Sequence, residues 1–357
     1  MRRRVRKLRF RSLLTLGIAS GVALLIPAAS APAQATACHL KWRVVRPFAI
    51  AGGYVSDVEA FSRTDTWILS TSLAGDKNFI GHWNGRHWRF ERLSLDGVAD
   101  AFSVSSSQDI WVVGRTLGLQ PLIAHFDGRA WTQFPVPLGP NVEAGLSDVV
   151  ALAPDDMWAV GSSLTYRPGA HAVALIMHWD GHDWTTVAVP GDEEGLSGIA
   201  ALSPHDIWAL GGDKEEPSGL VATVLHWDGT GWHDVSVEPA AVSFSGVTAV
   251  SRTNVWAVGS TAGTARRGVV AHWNGRRFRV IHTTGASGTD ILSDVAVAGR
   301  HIWAVGAIEI DSFDGQRWRQ AHLPGVVLVR ADALSPRNVW AVGYKSDRTL
   351  IYHYACH

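Results

Sequence analysis

The chain has 357 residues, 46% of them hydrophobic, with 32 basic and 32 acidic side chains and two cysteines. That length and composition suit one large globular domain and exclude disordered, collagen-like and disulfide-dense classes. The charge balance is uneven along the chain: seven basic residues lie between Arg2 and Arg11, leaving 25 basic against 32 acidic residues after them, a net of −7 with histidine neutral. A surface of that sign disfavours nucleic acid and anionic membrane as partners.

In chain order, residues 1–33 read as a secretory signal peptide: a cationic start, an apolar run from Leu13 to Ile26, then small residues such as Ala31-Pro32-Ala33. The apolar run is short for a membrane-spanning helix, and an uncleaved anchor is the competing reading. No transmembrane span is expected once the signal is removed, and residues 34–357 form the mature domain.

Within that domain a tryptophan returns seven times, as Trp67, Trp111, Trp158, Trp208, Trp256, Trp303 and Trp340, five of them in W-A-V-G or W-A-L-G. The spacings of 44, 47, 50, 48, 47 and 37 residues are those of small all-β repeats. Unit three shows the pattern. The apolar run Val149 to Leu152 predicts a strand buried on both faces, followed by a turn at Pro154-Asp155-Asp156 and a second strand, Met157 to Val160. A third strand runs from about Ala174 to Trp179, Asp180-Gly181 marks a hairpin, and a fourth runs from Trp184 to Pro190.

Four short antiparallel strands per unit predict an all-β, seven-bladed β-propeller. A second aromatic anchor recurs as Trp83, Phe126, Trp179, Trp227, Trp273 and Phe313, and a third follows five residues later as Trp88, Trp131, Trp184, Trp232, Phe278 and Trp318. These rings are expected to fill the wedges between blades. The last unit ends soon after Tyr354, without a fourth strand. Lys41 to Pro47 has the form of that strand and is expected to pair with the third strand of unit seven, closing the ring. Cys38 and Cys356 then stand where a hairpin turn would be, so a disulfide between them is expected, with acylation of Cys38 as the rival.

The unit resembles a kelch repeat in Gly161, Trp179-Asp180 and Trp184, although only Gly211-Gly212 supplies a kelch-like glycine pair. Across residues 38–357 the chain resembles secreted bacterial propellers with W-A-V-G and H-W-D-G repeats, related in architecture to the central domain of galactose oxidase. The resemblance implies a protein secreted from a bacterium or held on its outer surface. A copper-radical site of the galactose-oxidase kind is not expected, because both cysteines serve closure and only five tyrosines occur.

Candidate chemistry falls into four groups. A histidine column (His82, His125, His178, His226, His272, His353) precedes the second anchor, and its members stand too far apart to share a metal. An Asp/Asn column (Asp65, Asp109, Asp156, Asp206, Asn254, Asn338) is read as turn chemistry bonding local backbone groups. Asp57, Asp100, Asp148 and Asp294, with Arg330, open the innermost strands at one mouth of the channel. They are read as bonding backbone amides, with calcium or a polar ligand as the alternative. Finally, loops on that same face vary in length. Those of units three and four place Tyr166, Arg167 and His171 beside Asp192, Glu193, Glu194, Asp213, Glu215 and Glu216, as ligand-binding candidates. No nucleophile elbow or phosphate loop appears. The expected function is therefore a monomeric, non-catalytic module that needs no cofactor and binds a glycan or an extracellular protein. A glycan-active enzyme using two mouth carboxylates, or a structural envelope protein, is the alternative.

Overall fold

The computed structural model describes residues 40–356, except 46–52, 73–76, 137, 140, 167–168, 192–193, 217–218, 236, 239–240, 263–265, 284–290 and 347. The segment read as a signal peptide and Cys38 lie outside the described residues. All regular structure among the described residues is β. Units one to four each form a four-stranded antiparallel sheet, for example Val142–Ala153, Asp156–Thr165, Val173–Trp179 and Trp184–Val187 in unit three. Unit five adds the short parallel strand Val237–Glu238 at its outer edge.

The number of blades differs from expectation. Counted as hydrogen-bonded sheets the propeller has six blades, not seven, because the last two sequence units share one six-stranded sheet. Two long strands make the join: His301–Phe313, which carries Ile308 at φ 65°, and Trp318–Ser335, whose Val327 pairs with Ala307 of the first. The physical cause is a shortage of chain. Only 10 residues separate the first and second anchors of unit six, against 14 to 21 elsewhere, so no loop intervenes to break the ladder.

Ring closure follows the sequence expectation. Leu40–Val45 pairs antiparallel with Arg348–Cys356, setting Trp42 opposite Tyr354 and Leu40 opposite Cys356. The N-terminal strand thus joins the last blade's sheet. The side-chain seam matches: the rings of Trp42 and Tyr354 lie 5.2 Å apart.

Tryptophans do fill the wedges. The inner tryptophan of each unit meets the outer aromatics of the next, as Trp158 does with Trp227 (5.1 Å) and Trp232 (5.7 Å). Trp340 completes the circle against Trp83 (6.3 Å) and Trp88 (5.9 Å) of unit one. The histidine and Asp/Asn columns prove to be one device. In unit three, Trp158 Nε1 donates to Asp156 Oδ1 (3.0 Å), the same oxygen lies 2.9 Å from His178 Nε2, and the imidazole stacks on the indole. The acceptor therefore serves side chains rather than the local backbone. Unit seven keeps only the histidine–acceptor pair, His353 Nε2 with Asn338 Oδ1 at 2.7 Å, and unit six lacks the triad altogether, with His301 at the acceptor position and Ser312 at the histidine position.

Every innermost strand carries a β-bulge, at Val55/Asp57, Ala99/Ala101, Leu146/Asp148, Leu196/Gly198, Phe244/Gly246, Leu292/Asp294 and Leu328/Arg330. The glycine of W-A-V-G answers this bulge. A Cβ on Gly161 would lie 1.9 Å from Gly145 O, and one on Gly259 would lie 1.9 Å from Ser243 O. The innermost strands pack apolar side chains on both faces, as expected. Val149 and Ala151 are buried in the core shared with unit two, and Val150 and Leu152, half-buried, pack against the core shared with unit four.

Candidate functional site

The bulges aim carboxylates across the unit boundaries. Asp57 Oδ2 accepts from Phe102 N (3.0 Å), Asp148 Oδ2 from Ile199 N (3.0 Å) and Asp294 Oδ2 from Ala331 N (2.9 Å). Asp332, which the sequence reading passed over, accepts from Ala60 N (2.8 Å) and ties the last unit to the first. Three of the four proposed mouth aspartates are therefore inter-unit clasps, the backbone-bonding role expected of them. Gly246 leaves room for one of them, since a Cβ there would stand 2.8 Å from Asp294 Oδ1.

Arg330 lies among these carboxylates, its Nε 3.8 Å from Asp57 Oδ1. Burial alone would lower its pKa, but Asp148, Asp294, Asp57 and Asp100 together hold it above its ordinary value. Burial pushes Asp57 well up and Asp294 up to about 6, in both cases against the pull of Arg330. The guanidinium provides the positive charge that a bound calcium would otherwise bring. Among the described residues no cluster of three or more metal-ligating side chains is found.

Asp100 departs from its proposed equivalence. Ala101, not Asp100, pairs in the register that Asp57 and Asp148 occupy, so Asp100 is itself the bulged residue. The extra residue turns its side chain away from the clasp position and toward the loop-face mouth. There it lines a cavity of about 620 Å³ with Tyr54, Arg115, Glu143, Ser147 and Ser162. Burial raises the Asp100 carboxyl to about 6, opposed by Arg115 and Arg330. The Tyr54 phenol is raised by burial first, then by Asp100 and Tyr344.

The cavity's rim is built by the loops of units two and three, with Tyr54 and Ser72 of unit one completing its lining. The stem of Arg115 rests over Gly145, where a Cβ would stand 3.4 Å from it. Ala144 N donates to Leu119 O (2.8 Å) and Tyr166 N to Asn141 O (2.9 Å), locking the two loops together. Both acceptor residues have positive φ, 58° at Leu119 and 62° at Asn141. For leucine that conformation is strained, and such strain gathers at ligand sites. Among the described residues Leu117 and Tyr166 are the most exposed large apolar side chains, at 72% and 59%.

The remaining loop candidates are placed unevenly. Tyr166 sits on the rim, its hydroxyl bonded to Glu143, and His171 is exposed beyond it. Glu194 is half-buried on the segment whose neighbour Gly195 packs against Ser162. Arg167, Asp192 and Glu193 lie outside the described residues. Asp213, Glu215 and Glu216 lie in strand Asp206–Glu216, and Gly212 N donates to Gly195 O (2.9 Å), so the backbone beside Asp213 adjoins that beside Glu194. The cavity itself sits over units one to three, not at the expected boundary of units three and four. Sequence reasoning missed Tyr54, Arg115 and Glu143 because each stands at a strand end outside the repeat columns. The only available signal was Arg115 directly following W-V-V-G.

Fold and mouth together define the class: an all-β propeller with a polar cavity on its loop face. No known family profile matches the chain, and no curated protein matches it. The kelch and galactose-oxidase likeness thus rests on the repeat residues alone. Solved structures do resemble it. YCF48 bound to D1 peptide superposes with a TM-score of 0.61 at 15% identity, over 88% of this chain and 97% of that one. YCF48 from Cyanidioschyzon merolae gives 0.60 at 14% identity, over 88% and 98%. The extracellular domain of the putative hybrid two component system BT4673 from B. thetaiotaomicron gives 0.57 at 11% identity, over 88% of this chain and 40% of that one. At such identities the likeness is one of fold. No helix among the described residues is long and apolar enough to cross a membrane.

Proposed function

We propose that this propeller is an exported, non-catalytic binding module that takes a glycan or extracellular protein ligand at its loop face. The observation that carries the reading is the cavity over units one to three, where the only mouth aspartate free of clasp duty meets Arg115 under a strained rim. Rigid sheets presenting irregular loops are the usual platform for such sites. Asp57 and Asp148 each accept two backbone amides, and Asp294 at least one, so they hold the ring together and are poorly placed to act as an acid–base pair. That weighs against glycoside cleavage at the mouth. A polypeptide ligand has a parallel in fold, since one of the similar propellers was solved with a peptide bound.

Export rests on the first 33 residues and their cationic, then apolar, then small-residue order. The same reading includes a Cys38–Cys356 disulfide beside the closing strand, which non-reducing mass mapping would reveal as a single linked peptide pair. To test the function, the immobilised mature chain is exposed to glycan and secreted-protein arrays, and the glycans are assayed for new reducing ends. Binding without turnover supports the module. Release of reducing ends replaces it with the enzyme reading.

A further inference from the structure

We infer that the loop-face cavity is a saccharide site, in which Asp100 and Arg115 together grip neighbouring hydroxyls of an uncharged sugar. This deepens the binding-module reading and rests on it. The inference starts from unmet hydrogen-bonding capacity. Among the described residues the Asp100 carboxylate, the Arg115 guanidinium and the Tyr54 hydroxyl make no hydrogen bond or ion pair within the protein, although all three line one cavity. Asp100 and Tyr54 are half-buried and Arg115 is exposed, so their donors and acceptors are open to a ligand at the mouth, and hydrogen bonds to charged groups are among the stronger ones a ligand can gain.

The chemistry of that ligand follows from the signs of the groups. Asp100 only accepts when ionised and Arg115 only donates, so the ligand must donate to one and accept from the other across a short span. A hydroxyl does both, and a pair of adjacent hydroxyls on a sugar ring does so at the spacing of two neighbouring side chains. Acid and base face the cavity side by side, with Glu143 at its edge and Arg330 beneath, so no single charge on the ligand is favoured. Tyr54 inside and Tyr166 on the rim offer aromatic faces for the C–H side of a pyranose ring. A peptide anchored by apolar side chains would need an apolar floor. Here the floor is Asp100, Ser147, Ser162 and Arg115, with Leu146 and Leu164 as its larger apolar members. At about 620 Å³ the cavity is of small-ligand size.

The test uses the full mature chain on an array of neutral di- to tetrasaccharides and, in parallel, on a random-peptide array. Asp100→Asn and Arg115→Ala are compared with Gln108→Ala, which lies in the tight turn on the opposite face. Thermal melts confirm that all three variants fold. The expected result is saccharide binding that weakens about 10- to 100-fold in Asp100→Asn and Arg115→Ala and is unchanged in Gln108→Ala. Saccharide binding that survives both cavity substitutions overturns the site. Binding of peptides alone overturns the ligand class yet leaves the module standing. No hit on either array overturns the inference outright. Cleavage of an arrayed saccharide overturns the non-catalytic reading instead.

Discussion

Replacing Trp340 by alanine tests how the ring is closed. The indole is fully buried, stacks on His353 at 3.9 Å and meets Trp88 edge-on at 5.9 Å, which joins the last sequence unit to the first. A tryptophan of about 150–250 Å² buried at about 25 cal/mol/Å² contributes about 4–6 kcal/mol in transfer terms. Large-to-small substitutions of this kind cost about 3–5 kcal/mol, which is the expected loss here. With Tm moving by roughly 2–4 °C per kcal/mol in domains of about 150–250 residues, a drop of about 6–20 °C should follow in a thermal scan read by circular dichroism. Trp340→Phe provides the internal comparison. Trp340 Nε1 is buried with no partner among the described residues, so phenylalanine removes an unmet donor along with some volume. It should cost less than about 2 kcal/mol. A Trp340→Ala melt within about 2 °C of the parent would falsify the idea that the wedge aromatics hold the ring shut.

Other substitutions probe separate links. Asp206→Ala leaves both Trp208 Nε1 and His226 Nε2 without their shared acceptor and should cost about 2–4 kcal/mol by urea unfolding. In a double-mutant cycle with His226→Ala the two losses should not add, and additivity would mean that the triad is not a unit. Gly161→Ala drives a Cβ into Gly145 O and should cost at least about 2–3 kcal/mol, whereas Gly118→Ala, whose Cβ would meet only Thr116 Oγ1 at 3.8 Å, should be near neutral. The pH dependence carries a definite sign. Folded Asp294 keeps its proton up to about pH 6, while in the unfolded chain it titrates near 3.8. The stability this gives is complete below about pH 4 and is lost as pH rises through 6. Asp294→Asn keeps an acceptor for Ala331 N, so between pH 4.5 and 7 its stability should fall less than the parent's, by about 1–3 kcal/mol. An unchanged pH profile in Asp294→Asn would rule Asp294 out as the titrating group.

Much of the architecture was legible before any coordinates. Recurrence of Trp67 through Trp340 marked the repeat, Asp-Gly and Asn-Gly marked the hairpins, and the missing fourth strand after Tyr354 pointed to Trp42. These signals are local: each depends on a side chain's fit to its own turn or strand, so they survive in a linear reading. Gly181 at φ 94° and Gly229 at φ 95° occupy the left-handed positions that such hairpins demand.

Tertiary structure decided what depends on register and on chain length between elements. Two sequence units merge into one sheet because unit six has too little chain between its anchors to interrupt the ladder. A single inserted residue in each innermost strand decides which side chains clasp a neighbouring unit, and it sets Asp100 apart from Asp57 and Asp148 by one position. The offset itself can be counted, since Asp100 lies 11 residues before Trp111 whereas Asp57 and Asp148 lie 10 before Trp67 and Trp158, but only the bulged register shows that it turns the side chain from clasp to mouth. The cavity follows from the same fact. Tyr54, Asp100, Arg115 and Glu143 are scattered over 90 residues and meet only because successive units curve around one axis. The sequence alone determined the repeating unit and its closure, through local turn and packing chemistry; the pairing of unlike units around the ring decided where a ligand could be held.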